Sequence, residues 1–498
     1  MDYPAFIWLI ACPLFAAPVI YISGRSGLRM GRQSTSWLMA CASFGLAWYF
    51  FFQTSLSFSP ERMMIEWIGG IRLQFDGMSL LISALALTLG TGVTLFSGPY
   101  LSRDTGQDKY FALLSMMVGL ILGLGCASDL FNLWIWFEAM AISSYLLVAF
   151  YRQLPNSLEA GVKYLVQSTM GSVIVLLGIG LVFAETGTLD IHQLAHISQL
   201  TPTLRSATAL FIVGFGVKTA LVPLHTWLPD AHSQAPSGIS AMLSGVVIEA
   251  GLFAMLRVLA ALLPMQPHPG LLLAVLATVN ITAGNLLALR QSQIKRLLAY
   301  SSLAHMGYIL LGIAIAFEFG ELEGAQGGFF HMLNHGLMKG LAFLGAGSFM
   351  YVLVISAGDH QPLLIKDLAG AAKKYPLSSL LLSIGLLGLA GLPPLAGFMS
   401  KWQILLAGLT TNNTWILACM ILAALNSVLA LGYYTPIINI LYRSEPSQLV
   451  LQGNRLPWVM NLPMITMALL ILLIGLWPTC MSWLTEPAGR ALLASFGG

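Results

Sequence analysis

Four ionisable residues interrupt long apolar stretches of this chain: Glu138 in NLWIWFEAMAISSYLL, Lys218 in VGFGVKTALVPLHTWLPDAH, Glu249 in SGVVIEAGLFAMLRVL and Lys401 in GLLGLAGLPPLAGFMSKWQILL. A charge at the centre of a bilayer costs roughly 2.5–3.5 kcal/mol on insertion scales. A further stretch, FFHMLNHGLMKGLAFLGAG, spaces His331, His335 and Lys339 at i, i+4, i+8, which places them along one helix face. Acids, lysines and imidazoles kept at such depth suit a path that passes protons from group to group. His305 in SSLAHMGYILL and His225 in PLHTWLPDAH extend that set, as a relay or an access point.

The chemistry of such a path rests on proton affinity. Desolvation favours the neutral form of a buried lysine, and a nearby carboxylate favours the charged form. A carboxylate that approaches and retreats therefore loads and releases a proton. Structural readings stand beside this one. Glu138 could be a helix-end acid reaching headgroups, and Lys218 could snorkel to the interface. Glu249 could form a fixed bridge with Lys218. Lys401 could cap a half-helix carboxyl end, where cations are favoured. Buried histidines are often hydrogen-bonded core residues. Two histidines at i, i+4 can bind a metal, but no acid or cysteine completes the set here. Asn280, Asn285 and Asn426 could hold water or satisfy backbone groups.

These residues need a membrane-spanning scaffold. The chain has 498 residues, 57% hydrophobic and 9% charged, where a soluble domain carries about 25% charged residues. Fourteen apolar runs of spanning length are expected at roughly 5–23, 35–54, 78–97, 109–126, 129–150, 164–184, 207–226, 238–261, 271–289, 297–317, 327–354, 377–408, 414–441 and 457–478. The first is read as a retained helix, because Met1–Pro4 carries no basic run. About 20 residues follow Pro478, so no long lateral helix is expected at the carboxyl end. Between Glu61 and Asp76 the alternation around Gly69-Gly70 predicts a β-hairpin on one membrane face. Cys12, Cys41, Cys126, Cys419 and Cys480 are scattered, with no cluster or zinc spacing. A net charge of +3 gives no nucleic-acid signal.

Lysine and arginine set the orientation. With the amino terminus outside, only Arg62, Arg72, Arg205, Arg257 and Arg490 fall on the outer side, while Lys218, Lys339 and Lys401 lie within helices and the other basic residues fall inside. Two apolar stretches are broken alike. The seventh holds Pro223 five residues after Lys218, and the twelfth holds Pro393-Pro394 just before Lys401. Proline removes a backbone donor and crowds the preceding turn, so both helices should break there. Paired broken helices suggest inverted repeats. Helices 4–8 (109–261) would form the first and helices 9–13 (262–441) the second. Residues 1–108 would precede them, and 442–498 would supply helix 14 and a tail.

KTALVPLHTWLPDAHSQAPSGISAMLSG, QIKRLLAYSSLAHMGYILLG, HMLNHGLMKGLAFLGAG and GLAGLPPLAGFMSKW together resemble the antiporter-like membrane subunits. That family is shared by respiratory complex I, membrane-bound hydrogenases, formate hydrogenlyases and Mrp-type Na+/H+ antiporters. The resemblance runs from about residue 60 to about 440. It implies an all-α polytopic fold of about 14 transmembrane helices, with two inverted five-helix repeats and helices 7 and 12 broken. It also implies roles: Glu138 as the fifth-helix glutamate, Lys218 as the seventh-helix lysine, His331 and His335 as the eleventh-helix histidines, and Lys401 as the twelfth-helix lysine. One position departs. The family usually has a lysine or histidine where this chain has Glu249.

The expected function is proton translocation in a redox-driven complex of the NADH/quinone oxidoreductase or hydrogenase type. The chain would be a non-catalytic component, with flavin and iron–sulfur or [NiFe] centres in partner subunits and neither cofactor nor metal of its own. The expected path enters near His225 and runs through Glu138, Lys218, Glu249, the His331/His335/Lys339 stripe and Lys401. The main alternative is an Mrp-type cation/proton antiporter subunit with no redox partner. A solute transporter lacks an evident substrate cluster here. A bystander subunit would carry the charges as fixed bridges. The expected location is a bacterial or archaeal cytoplasmic membrane.

Overall fold

The computed structural model describes residues 4–30, 34–59, 64–68, 71–197, 201–264 and 266–496. Met1–Tyr3, Arg32, Glu61, Arg62 and the Gly69-Gly70 turn lie outside those residues. The chain is a bundle of long helices, of which α1 to α6 run Ala5–Arg29, Thr35–Ser57, Gly77–Tyr100, Gln107–Gly125, Leu130–Val148 and Pro155–Thr186. Then come α7 (Pro202–Lys218), α8 (Ser237–Leu262), α9 (Pro269–Ala288), α10 (Ile294–Phe319) and α11 (Leu322–Leu353). The last five are α12 (Pro376–Ala390), α13 (Ala396–Thr410), α14 (Thr414–Arg443), α15 (Trp458–Leu476) and α16 (Ser482–Ala494).

Twelve helices among the described residues are long and apolar enough to cross a membrane. The seventh and twelfth stretches are not among them, because each is broken where its prolines predict. The seventh ends at Lys218 and resumes only as the short helix Trp227–Gln234. The twelfth splits into α12 and α13 around Gly391–Leu395.

The hairpin forms from β1 (Met64–Ile68) and β2 (Ile71–Phe75), antiparallel with Ile68 opposite Ile71. Its second strand leads into Asp76, which caps α3 in a reciprocal pair with Ser79. The Gln74 amide donates to the Cys126 carbonyl, so the hairpin lies over the α4–α5 connection. The bundle therefore has a hairpin end and an opposite end with the Lys/Arg-rich loops.

Arg257 needs reassignment. It sits inside α8, almost wholly buried, and is ion-paired with Asp76 while also donating to Ser79 Oγ and the Gly125 carbonyl. It is a buried clasp between α8, α3 and the end of α4, not an outer-surface base. A span border read from hydropathy cannot see a charge matched across 181 residues of sequence.

Glycines bring the central helices together. Gly245 of α8 and Gly336 of α11 face each other, and a Cβ on Gly336 would lie 2.7 Å from the Gly245 carbonyl oxygen. Small residues allow this approach where hydrophobicity alone gives no drive for helices to associate. The contact matters because Glu249 lies one turn beyond Gly245, and His335 directly precedes Gly336. Gly336→Val should force the helices apart at an overpacking cost of about 1–3 kcal/mol. The expected result is less chain in the membrane and a lower melting temperature after solubilisation. Gly45→Ala, where an added Cβ meets nothing within 4 Å, should change neither.

Candidate proton-transfer site

Lys218 is the last residue of α7 and is buried. Its side chain runs along α8, with its β and γ carbons against Gly251. Its ammonium donates to Tyr164 OH at 2.5 Å and Ser144 Oγ at 3.2 Å. It also lies 4.5 Å from the centre of the Tyr164 ring, which stacks flat on Trp227. The freed backbone at this break finds other partners. The Trp227 indole donates to the Val217 carbonyl, and the Val222 amide donates to Asn280 Oδ1 at 2.6 Å. Asn280 thus satisfies backbone groups, as its Nδ2 bond to the Leu303 carbonyl also shows.

Glu138 lies on α5, partly exposed on the flank of the chain. It is within electrostatic reach of Lys218, but among the described residues no ion pair joins them. The intermediate hydroxyls of Ser144 and Tyr164 were not foreseen. A serine or tyrosine in an apolar helix carries no pattern in one sequence.

Glu249 belongs to the other half of the site. It follows a π-helical turn, Leu243–Val247, that interrupts α8. Such insertions often occur at functional positions. Its carboxylate Oε1 meets His335 Nδ1 at 2.6 Å, with both side chains fully buried. The bridge weighed for Glu249 is therefore made with His335 and not with Lys218. Glu249 Oε2 and His335 Nε2 have no protein partner among the described residues.

From His335 the imidazoles form a stack. His305 on α10 lies face to face with both His335 and His331, each pair of centroids 5.2 Å apart. His305 Nδ1 is 3.0 Å from His331 Nε2, and His331 Nδ1 is 2.9 Å from Ser400 Oγ. Each imidazole can take a proton at one nitrogen while giving one up at the other. Ser400 directly precedes Lys401 in sequence, so the histidine contacts end beside the second break, although no hydrogen bond joins these two side chains among the described residues.

Lys401 donates to the carbonyls of Leu389 and Ala390 at 3.0 and 3.2 Å, and to Ser427 Oγ at 3.1 Å. The capping role considered for it is present in the geometry: α13 supplies a cation to the carboxyl end of α12. Its ammonium also sits 4.9 Å from the Tyr308 ring centre. Lys339 is fully buried and bound to the Leu298 carbonyl at 2.7 Å and to Ser301 Oγ. His225 is half-buried beside Tyr300, outside the imidazole stack. Asn285 and Asn426 bond each other between α9 and α14, with Tyr433 OH donating to Asn285. Among the described residues no group of three or more His, Cys, Asp or Glu side chains could hold a metal ion.

The structure thus brings Glu249, His335, His305, His331, Ser400 and Lys401 into one line through the second half of the chain. It leaves Glu138 and Lys218 as a separate group in the first half. Such a succession of titratable groups suits proton transfer, through the hydrogen bonds Glu249–His335, His305–His331 and His331–Ser400, with a ring stack between His335 and His305.

Known proteins carry the same scaffold. The family profile of the NADH:quinone oxidoreductase/Mrp antiporter transmembrane region matches residues 127–427. The chain is 30% identical over 416 residues to F(420)H(2) dehydrogenase subunit N of Methanosarcina mazei, covering 82% of each chain. It is 32% identical over 384 residues to NADH-quinone oxidoreductase subunit N of Desulforudis audaxviator, covering 75% of this chain and 73% of that one. A chain in the structure of the membrane-bound sulfane sulfur reductase, an archaeal respiratory membrane complex, superposes with a TM-score of 0.87 at 29% identity over 99% of both chains. With the profile covering both helix breaks and every group of the buried line, this chain belongs to the NADH:quinone oxidoreductase/Mrp antiporter transmembrane family.

Proposed function

We propose that this chain is the proton-translocating membrane subunit of a redox-driven complex of the complex I or membrane-bound hydrogenase type. The observation that carries the reading is the buried line from Glu249 through three imidazoles to Ser400 and Lys401. Its relatives, dehydrogenase and quinone oxidoreductase subunits by name, favour a redox partner over a stand-alone cation/proton antiporter. Flavin and iron–sulfur or [NiFe] centres belong, in this reading, to other subunits. The membrane is a bacterial or archaeal cytoplasmic membrane, with the amino terminus and the hairpin outside.

Helices 4–8 and 9–13 are read as inverted repeats, and the two lysines at the breaks support this. Lys218 ends the first half-helix of the seventh stretch, and Lys401 caps the first half-helix of the twelfth. In each repeat a lysine belongs to the break. Lys401 rests on the carbonyls at a half-helix carboxyl end, where the dipole favours a cation, while Lys218 closes its half-helix and turns its ammonium to Ser144 and Tyr164. The relay residues are Glu138 and Lys218 in the first repeat, and Glu249, His335, His305, His331, Lys339 and Lys401 at and beyond the join. Release of a proton from Lys218 requires its hydroxyl partners to shift, since they bind the ammonium more closely than any carboxylate does.

Positioned proton donors and acceptors contribute roughly 10²–10⁴-fold to transfer rates. Lys218→Ala should therefore cut proton pumping in vesicles by about 10² or more in an assembled complex, with uncoupled electron transfer retained. Undiminished pumping would sink the relay. Glu249→Gln keeps a hydrogen-bonding side chain against His335 but cannot change protonation. Assembly should persist and pumping should fall, whereas loss of the complex from the membrane would mark Glu249 as a fixed bridge. Replacing Na+ by choline separates the antiporter reading, and pumping that needs Na+ would favour it.

A further inference from the structure

We infer that the second half of the chain has its own proton inlet at the end with the basic loops, formed by Lys295, His232 and Lys339. The inference rests on the proton-translocation reading and adds Lys295 and His232, which the relay above does not use, as a way in to Lys339.

His232 lies on the short helix Trp227–Gln234, fully buried, and neither ring nitrogen has a partner among the described residues. An imidazole always presents at least one N–H donor, and an unpaired buried polar group costs about 1–3 kcal/mol. Buried polar side chains in folded proteins are nearly always paired, by protein or by ordered water. A fully buried ring with both nitrogens free among the described residues is therefore a group that an ordered water would satisfy.

Its neighbours make that place a proton site. The ring stacks on Phe343 at 4.7 Å, one turn of α11 beyond Lys339. Lys295 and Lys339 are the two charged groups that act on it electrostatically. Lys295 donates to the carbonyl of Ala235, just past the short helix. Lys339 donates to the Leu298 carbonyl, one turn of α10 beyond Lys295. Neither lysine has a carboxylate partner among the described residues, so nothing fixes either as a permanent cation.

The cluster runs from surface to centre. Lys295 is in the first turn of α10 and retains 5% exposure, whereas His232 and Lys339 have none. Beside it, Asp230 bonds Arg296 at 2.5 Å and Lys163 at 3.1 Å, tying the short helix to α10 and α6. Lys339 lies one turn from His335, about 6 Å along the helix. Here a proton taken from water by Lys295 passes through water beside His232, which accepts at one nitrogen and releases from the other to Lys339. Lys339 then hands it to the histidine stack. The half-buried His225, expected to mark the inlet, lies apart from this line.

The test uses the whole complex in vesicles, with proton pumping and uncoupled electron transfer measured together. Lys295→Arg keeps the charge and the bond to Ala235 but does not release a proton. His232→Phe keeps the stack on Phe343 and removes both nitrogens. Each should lower pumping about 10²-fold, the low end for a positioned proton donor or acceptor, while electron transfer continues. Parent-level pumping in both assembled variants overturns the inlet. If His232→Phe does not assemble, Lys295→Arg alone decides in the same way. Lys218→Ala is run in parallel. Loss of pumping there, with none in the inlet variants, refutes the inlet and leaves the relay standing, whereas normal pumping in all three refutes both.

Discussion

Backbone N–H and carbonyl groups freed at two helix breaks are the constraint around which this fold is arranged. Lipid offers them no hydrogen-bond partner, so irregular backbone at membrane depth survives only when protein or enclosed water satisfies it. Trp227 and Asn280 serve the first break, and Lys401 serves the second. Because the donor at the second break is a titratable amine, holding the structure together and holding a proton become one task. Deprotonating Lys401 weakens the cap on α12. That gives a direct physical link between proton occupancy and helix position.

The same economy appears where α8 meets α11. Facing glycines let two backbones approach, and the approach lets a carboxylate reach an imidazole. A base at this position would place two proton-accepting nitrogens side by side. Glu249 instead gives His335 an acid partner, so that one proton is shared between unlike groups. The departure is local, because the stack from His305 to Ser400 needs nothing from residue 249 except a hydrogen-bonding neighbour for His335.

Much of this was legible in the sequence, for a simple reason. Charges such as Lys218 and Glu249 stand out in apolar runs, prolines mark breaks, and a spacing of four marks a helix face. Both breaks, the hairpin strands and the His331/His335/Lys339 stripe are where those signals place them. Partners were not legible. Glu249 pairs across 86 residues with His335, and Arg257 across 181 with Asp76, and no local pattern encodes either choice. Hydroxyls such as Ser144, Tyr164, Ser301 and Ser400 are ordinary helix residues until a lysine or histidine is seen against them. His232 and Lys295 were hidden by position, near a proline-rich turn and in a basic loop, where burial is not expected.

The Glu249–His335 pair has an electrical consequence. With one proton between them the pair carries no net charge, whichever atom holds it. A transmembrane potential acts on charge displaced through it, at about 2.3 kcal/mol per elementary charge per 100 mV. Movement of that shared proton between Oε1 and Nδ1, which are 2.6 Å apart, covers less than that separation and crosses only a small part of the field. In that state the pair itself therefore responds little to voltage. In the proposed relay, electrical work at this pair arises in the steps that bring a proton to it and take it away.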